Sequence, residues 1–224
     1  MSSTEVLSRV VLASGNRGKL REMQALLAPT GIELIAQAEL GVTDAEEPFE
    51  TFIENALTKA RHASRVTGLP AMADDSGVCA PALGGAPGVR SARYASGDDA
   101  LQRSDAANNA RLVSELARHA DRSAYYYCVL VLVRSATDPQ PLIADGLWFG
   151  EIIAEPRGEG GFGYDPHFLL PDLRLTAAEL SSELKNRVSH RGQAMRDLIA
   201  RLHHARLLPG AADPVSSGSA VPGR

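Results

Sequence analysis

The spacing of apolar positions changes several times along the chain, and each change predicts an element. Residues 9–14, RVVLAS, are a short β-branched and apolar run that predicts a buried strand. After GNRGK the segment LREMQALLAPTG shifts to helical spacing, with Leu20, Met23, Leu26 and Leu27 on one face and Pro29 and Gly31 to stop it. IELIAQ predicts a second short strand. TFIENALTKARHASRVTG then carries a capping-box pattern, Thr51 with Glu54, ahead of Phe52, Ala56, Ala60 and Ala63 at helical intervals and Gly68 at the end. LPAMAD predicts the next strand.

In the second half, residues 104–119 have a helical pattern. AYYYCVLVLVRS and LIADGLWFGEII, separated by TDPQP, predict an antiparallel hairpin, so the sheet should be mixed. Thr176 and Glu179 form a second capping box before LSSELKNRV, and Ser189 caps a last helix through SHRGQAMRDLIARLHHARLL. The fold class expected is α/β. No internal repeat is visible, and nothing forces two independent domains: residues 1–208 read as a single unit with two lobes, followed by a Pro-, Gly- and Ser-rich tail, 209–224, read as disordered.

One stretch does not follow the hydrophobic pattern. PAMADDSG sets two adjacent carboxylates, Asp74 and Asp75, at the expected carboxyl end of a buried strand, where a charge out of water needs a partner or a metal. Asp-Asp-Ser-Gly is also ordinary turn chemistry. In an open α/β sheet that end of a strand is where ligands bind. Neighbours on an extended chain point to opposite faces, so the two aspartates should not reach the same ion.

Composition narrows the ligand. Hydrophobic residues are 44% and charged residues 22% of the chain, and its net charge of −4 gives no broad basic face for a nucleic-acid polymer. A small phosphorylated ligand needs only a local group of cations and helix N-termini. Cys79 and Cys128 lack metal spacing and read as core residues, which fits a reducing cytoplasm. The first residues do not read as a signal peptide, and no run is long enough to cross a membrane.

Four stretches can carry chemistry. SGNRGK, comprising Ser14, Gly15, Asn16, Arg17, Gly18 and Lys19, joins a strand to a helix as a phosphate-holding loop would, although the glycine spacing is not that of a Walker A loop. Glu46 and Glu47 precede a helix, where acids suit the dipole and where Glu46 with an aspartate would hold magnesium. GGFGYDP places Phe162 and Tyr164 between glycines, as a stacking platform whose main chain reads a base or as a core-capping loop. KNRVSHRG gathers Lys185, His190 and Arg191 as donors at a helix start, or as solvated surface. All four suit one ligand with phosphates, a metal and a purine-like base.

LASGNRGKLREM, FIENALTKARHA, ADDSG, LGGAPGVRSARYA, GGFGYDP and SHRGQAM, in that order from about residue 9 to 206, resemble the Ham1-type inosine/xanthosine triphosphate pyrophosphatases. The resemblance implies an elongated mixed-sheet fold with two lobes around a nucleotide cleft, a homodimer, one Mg2+ per subunit, and cleavage between the α- and β-phosphates. Carried over by position, Ser14 to Lys19 would hold the triphosphate, Glu46 and Asp75 the metal, and Asp75 would serve as base for the attacking water. Ser76, Phe162, Gly163, Tyr164, Asp165, Lys185, His190 and Arg191 would contact the nucleotide. His167 departs from the family pattern. Two rivals stay open: a Maf-like pyrimidine nucleotide pyrophosphatase, against which GGFGYDP and SHR stand, and a regulator that binds nucleotide without turnover.

Overall fold

In the computed structural model, which describes residues 6–97 and 104–209, the first apolar run is strand β1 (Arg9–Leu12). It lies between two parallel neighbours, β2 (Glu33–Ala36) and β3 (Ala71–Cys79). Beyond β3 the pairing is antiparallel through β4 (Ser123–Val133), β5 (Leu142–Ile152), β6 (Phe168–Leu170) and β7 (Leu175–Thr176). The result is one seven-stranded mixed sheet ordered β2-β1-β3-β4-β5-β6-β7. Helices α1 (Arg17–Leu27), α2 (Phe52–Thr67), α3 (Asp105–Leu116), α4 (Ser182–Val188) and α5 (His190–His204) flank it. The tail expected after residue 208 lies, from 210 on, outside the described residues.

Strand alternation decides which helix covers which face. Val10 and Leu12 of β1 pack with Met23 and Leu27 of α1 and with Met195 and Leu198 of α5. Val11 and Ala13 point the other way, onto Ala56, Ala60 and Ala63 of α2. Those alanines bring α2 close to the sheet, as its Thr51 cap and αL Gly68 set its ends. A third cluster, around Tyr126, Trp148 and Phe168, is covered by Leu112 and Leu116 of α3. Cys79 and Cys128 are free and buried.

Two expectations need correction. Strand β3 does not stop at Asp74 and Asp75: it runs on to Cys79, each residue opposite one of β4. Long-range pairing with β4 holds a sequence extended that locally favours a turn. Only Ala71 and Met72 of β3 pair with β1, so from Ala73 onward that edge of β3 borders a cleft. The carboxyl-end rule therefore applies to β1, whose exit loop is SGNRGK. The capping box of Thr176 and Glu179 is present, but it caps a short 3-10 turn, Ala177–Glu179, and Ser181 caps α4. β6 and β7, too short to show a period, were not expected.

Candidate functional site

Two joined pockets open along this edge of β3, and residue alternation along the strand sorts its polar side chains between them. Asp74 and Ser76 face α1 and α5; Asp75 faces α2. The outer pocket, ≈ 470 Å³, is lined by the Ser14–Asn16 loop, Lys19, Asp44, Glu46, Glu47, Lys59, Asp75 and Arg93, among others. The inner one, ≈ 110 Å³, is lined by Phe162 to Asp165, Tyr126, Lys185, His190 and Arg191, among others. Asn16, Lys19, Ser76 and Ala92 line both.

In the outer pocket, Asp75 Oδ1 accepts a hydrogen bond from Lys59 Nζ at 2.9 Å, and Oδ2 one from Asn55 Nδ2 at 3.5 Å. Lys59 also donates to Glu47 Oε1 at 2.9 Å. Burial pushes the Asp75 carboxyl above its ordinary range, and nearby Glu47 adds to this; Lys59 and Lys19 offset it only in part. Glu47 ends below its ordinary range, because Lys59, Lys19 and Arg93 outweigh its desolvation. Glu46 is exposed on the rim.

Such an oxygen-only set suits a hard divalent cation, which binds through one or two carboxylates and keeps waters. Among the described residues no cluster of three or more His, Cys, Asp or Glu could form a closed cage. An under-compensated Asp75 and an exposed Glu46, both lining the outer pocket, fit an open site that a cation would complete.

The SGNRGK loop is less free than its sequence implies. Asn16 caps α1, its Oδ1 accepting from the N–H groups of Gly18 (2.8 Å) and Lys19 (3.1 Å), so those two amides are already engaged. Arg17 is exposed. Lys19 Nζ instead reaches across to Asp74 Oδ2 at 2.9 Å. Gly18 matters for packing. A Cβ there would stand 2.8 Å from Cδ1 of Phe162, so the glycine lets α1 and the GGFGYDP loop meet over the cleft.

The inner pocket is a buried charge network. Arg191 pairs with Glu22 through Nη1, and its Nη2 donates to Ser76 Oγ at 3.1 Å and lies 3.5 Å from Asp74 Oδ2. Lys185 Nζ joins Glu22 (3.0 Å) to Asp165 (2.7 Å). Asp165 further accepts from Phe162 N–H at 2.8 Å and Tyr126 O–H at 3.2 Å. Asp74 is desolvated, yet Lys19, Arg191 and Lys59 hold its carboxyl well below the usual carboxylate range.

The alternative of solvated surface is excluded for the KNRVSHRG donors: Lys185, His190 and Arg191 expose 5% or less of their area. His190 is not a cation. Its ring stacks on Tyr126 with centroids 4.6 Å apart and planes within 3°, and burial, reinforced by Arg191 and Lys185, drives its pKa far below 6.5. The loop main chain is also committed, since Gly163 N–H donates to Asp105 and Gly163 C=O accepts from Asn109, each at 2.8 Å. Tyr164 O–H anchors to the Ser91 carbonyl, and Lys185 Nζ lies 4.8 Å from the Phe162 ring centre. His167 bonds the Ile153 carbonyl through Nδ1, away from both pockets.

The structure gathers the predicted stretches along one cleft, next to Asn55, Lys59, Glu22 and Arg93, which the sequence reading did not single out. A signal existed for the first two: Asn55 and Lys59 stand four residues apart on the alanine-lined face of α2, where unpartnered polar groups would be costly.

Comparisons with known proteins agree with one another. The sequence pattern described as the Ham1 family matches residues 10–201. The dITP/XTP pyrophosphatase of Ralstonia nicotianae is 67% identical over 196 residues, 88% of this chain and 97% of that protein. That of Nitrosomonas europaea is 59% identical over 203 residues, 91% and 98% respectively. The solved structure of a HAM1 protein from Coxiella burnetii superposes with a TM-score of 0.80 at 50% identity, covering 88% of this chain and all (100%) of that one.

Proposed function

The chain belongs to the Ham1 family, and from that premise we propose that its cleft hydrolyses ITP, dITP and XTP to the monophosphate and pyrophosphate, removing non-standard purine nucleotides before they enter DNA or RNA. The observation that carries this reading is the pair of pockets joined at Lys19 and Ser76, one lined by carboxylates and cations, the other by aromatic rings and buried donors. A triphosphate spans the outer pocket, the base enters the inner one, and the α-phosphate lies at their junction.

Asp75, on the outer wall, takes the proton of the water that attacks the α-phosphorus. Lys59, 2.9 Å from Asp75, holds that carboxylate in place and faces the developing charge. Glu46 and Asp75 would hold Mg2+, which when bound supplies positive charge to the phosphate oxygens. Ser14, Gly15, Asn16, Arg17, Gly18 and Lys19 form the phosphate side, with Lys19 the loop's ammonium at the junction.

Base choice rests on a guanidinium donor that cannot become an acceptor. Arg191 Nε and His190 Nδ1 are buried without a hydrogen-bond partner, and both residues line the inner pocket. A guanidinium nitrogen can only donate, so it pairs with a 6-keto oxygen and is left unpaired against the 6-amino group of adenine. Phe162, Gly163, Tyr164 and Asp165 wall the base, and Ser76 and Lys185 complete its surroundings.

Residues 1–208 work as one unit with two lobes, in the cytoplasm where the nucleotide pool is; no helix among the described residues is long and apolar enough to cross a membrane. A homodimer fits the exposed apolar face of the β4–β5 hairpin, where Phe149, 68% exposed, lies beside Tyr125.

The test is product analysis with magnesium for ITP, XTP, dITP, GTP and ATP. Pyrophosphate release favouring the first three is expected. Equal rates on all five would leave a general nucleotide pyrophosphatase, and tight ITP binding without turnover would leave a regulator.

A further inference from the structure

The stretch LGGAPGVRSARYA plays no chemical part in that mechanism. It starts at the last residue of one short 3-10 turn, Pro81–Leu83, and contains a second, Gly88–Arg93, which lies on β3 just past the Asp75–Ser76 pair. The contact is close: a Cβ at Gly77 would stand 2.3 Å from the Gly88 carbonyl oxygen and 2.4 Å from Ser91 Oγ, which leaves room only for glycine. Ser91 fixes the turn there, its Oγ accepting from Val78 N–H at 2.9 Å and donating to the Gly88 carbonyl at 2.6 Å. The turn is therefore a rigid partition between the pockets. Ser91 and Ala92 line the inner one; Val89, Ala92 and Arg93 line the outer one.

Three cations line the outer pocket, Lys19, Lys59 and Arg93. Lys19 and Lys59 each have a carboxylate at 2.9 Å. Arg93, with a side chain only 17% exposed, meets Glu47 at 3.4 Å through Nη1 and the Glu47 carbonyl at 3.4 Å through Nη2. Both bonds are long, and Glu47 is meanwhile held at 2.9 Å by Lys59. A guanidinium on a fixed turn, facing a phosphate-sized space with weak bonds, matches the fork geometry that grips phosphate oxygens.

We propose that Arg93 binds the pyrophosphate end of the substrate, giving up its long contacts with Glu47 for two bonds to the β- and γ-phosphate oxygens. The proposal rests on cleavage between the α- and β-phosphates. There, water oxygen bonds to the α-phosphorus and gives its proton to Asp75, and the α–β bridging oxygen leaves with the bond's electron pair. Arg93 stabilises the charge arriving on that leaving group.

Calorimetric titration of inorganic pyrophosphate with magnesium into the full-length protein tests this, comparing wild type, Arg93→Ala, Arg93→Gln, Arg93→Lys and Glu47→Gln. Loss of a charge-assisted contact should weaken pyrophosphate binding about ten- to a hundredfold in Arg93→Ala and Arg93→Gln, with Arg93→Lys in between. Inosine monophosphate affinity should not change, since Arg93 acts at the far end. Glu47→Gln should not weaken pyrophosphate, because glutamine keeps an oxygen for Lys59 and removes the charge that competes for Arg93.

Wild-type pyrophosphate affinity in the Arg93 variants, or no pyrophosphate binding by the wild type, overturns the proposal. So does an equal weakening by Glu47→Gln, which would make Arg93 a positioning residue acting through Glu47. Failure of the underlying reading shows separately, as absence of pyrophosphate among the products of ITP in the wild type.

Discussion

The two pockets share Lys19 and Ser76 yet treat charge in opposite ways. In the inner one, Asp165, Lys185 and Arg191, with Asp74 behind them, are nearly water-free, and Lys185 and Arg191 each serve at least two carboxylates. In the outer one, Glu46 is exposed, Arg93 is held by long contacts, and the Asp75 carboxyl is pushed up by burial that its cations do not fully answer. The charges of the inner network are paired before any ligand arrives, with Arg191 Nε and His190 Nδ1 left open; on the proposed reading those open atoms meet the base, and the unfinished outer set is completed by metal and phosphate. On the proposed reading, selection and turnover thus depend on opposite states of the same kind of residue.

The largest effect should come from the unfinished side. Asp75→Asn keeps size and removes the base, so hydrolysis of ITP should fall by about a hundred- to ten-thousandfold while calorimetry still shows nucleotide binding. Turnover near wild type would remove Asp75 from the mechanism.

Stability should respond in the reverse sense. Arg191→Met leaves Glu22 and the buried Asp74 short of a cation, and urea unfolding should show a loss of about 3–5 kcal/mol. Glu46→Gln, on the exposed rim, should change stability by no more than about 0.5 kcal/mol. Equal losses in the two variants would erase the contrast between the pockets.

The smallest effect is a pH dependence peculiar to the inner pocket. His190 is held neutral in the folded chain with its pKa far below 6.5. As pH falls through the ordinary value, the unfolded chain takes up a proton that the folded chain refuses. Stability is therefore full above about pH 6.5 and declines below it by up to about 1.4 kcal/mol per pH unit. Asp74, whose carboxyl is depressed, contributes a separate loss that begins only as pH falls through its ordinary 3.8. Unfolding of wild type and His190→Gln at pH 7 and pH 5 isolates the histidine; the variant should lose less than wild type on acidification, and parallel losses would sink the assignment.

The elements of the fold were largely legible because they rest on local patterns. The helix of Thr51 to Gly68 and the β4–β5 hairpin carry their caps, turns and periods within a few residues. What failed was decided at long range. Nothing near Asp74-Asp75-Ser76-Gly77 shows that β4 will hold it extended, and nothing near His190 shows that Tyr126 and Trp148 will desolvate it.

The site shows the same divide. Asp75 and the SGNRGK loop were visible as chemistry, since acids after an apolar run and glycines between strand and helix are unusual in themselves. Glu22 and Arg93 were not, because an acid on an exposed-looking helix and an arginine after a turn gain meaning only from partners elsewhere in the chain.

Glu22 is where the two ends of the polypeptide meet, 163 residues from Lys185 and 169 from Arg191. During synthesis the amino-terminal helix must therefore wait for almost the whole chain before its carboxylate finds those two cations. Until residues 185–191 have emerged, Asp165 lacks Lys185 and Asp74 lacks Arg191. A nascent or truncated chain that stops before them lacks the inner pocket's two cations and also α5, whose Met195 and Leu198 pack on Val10 and Leu12 of β1. On the proposed reading, base discrimination thus waits for a late-made part of this fold, and a break before Lys185 would remove it together with one cover of the sheet.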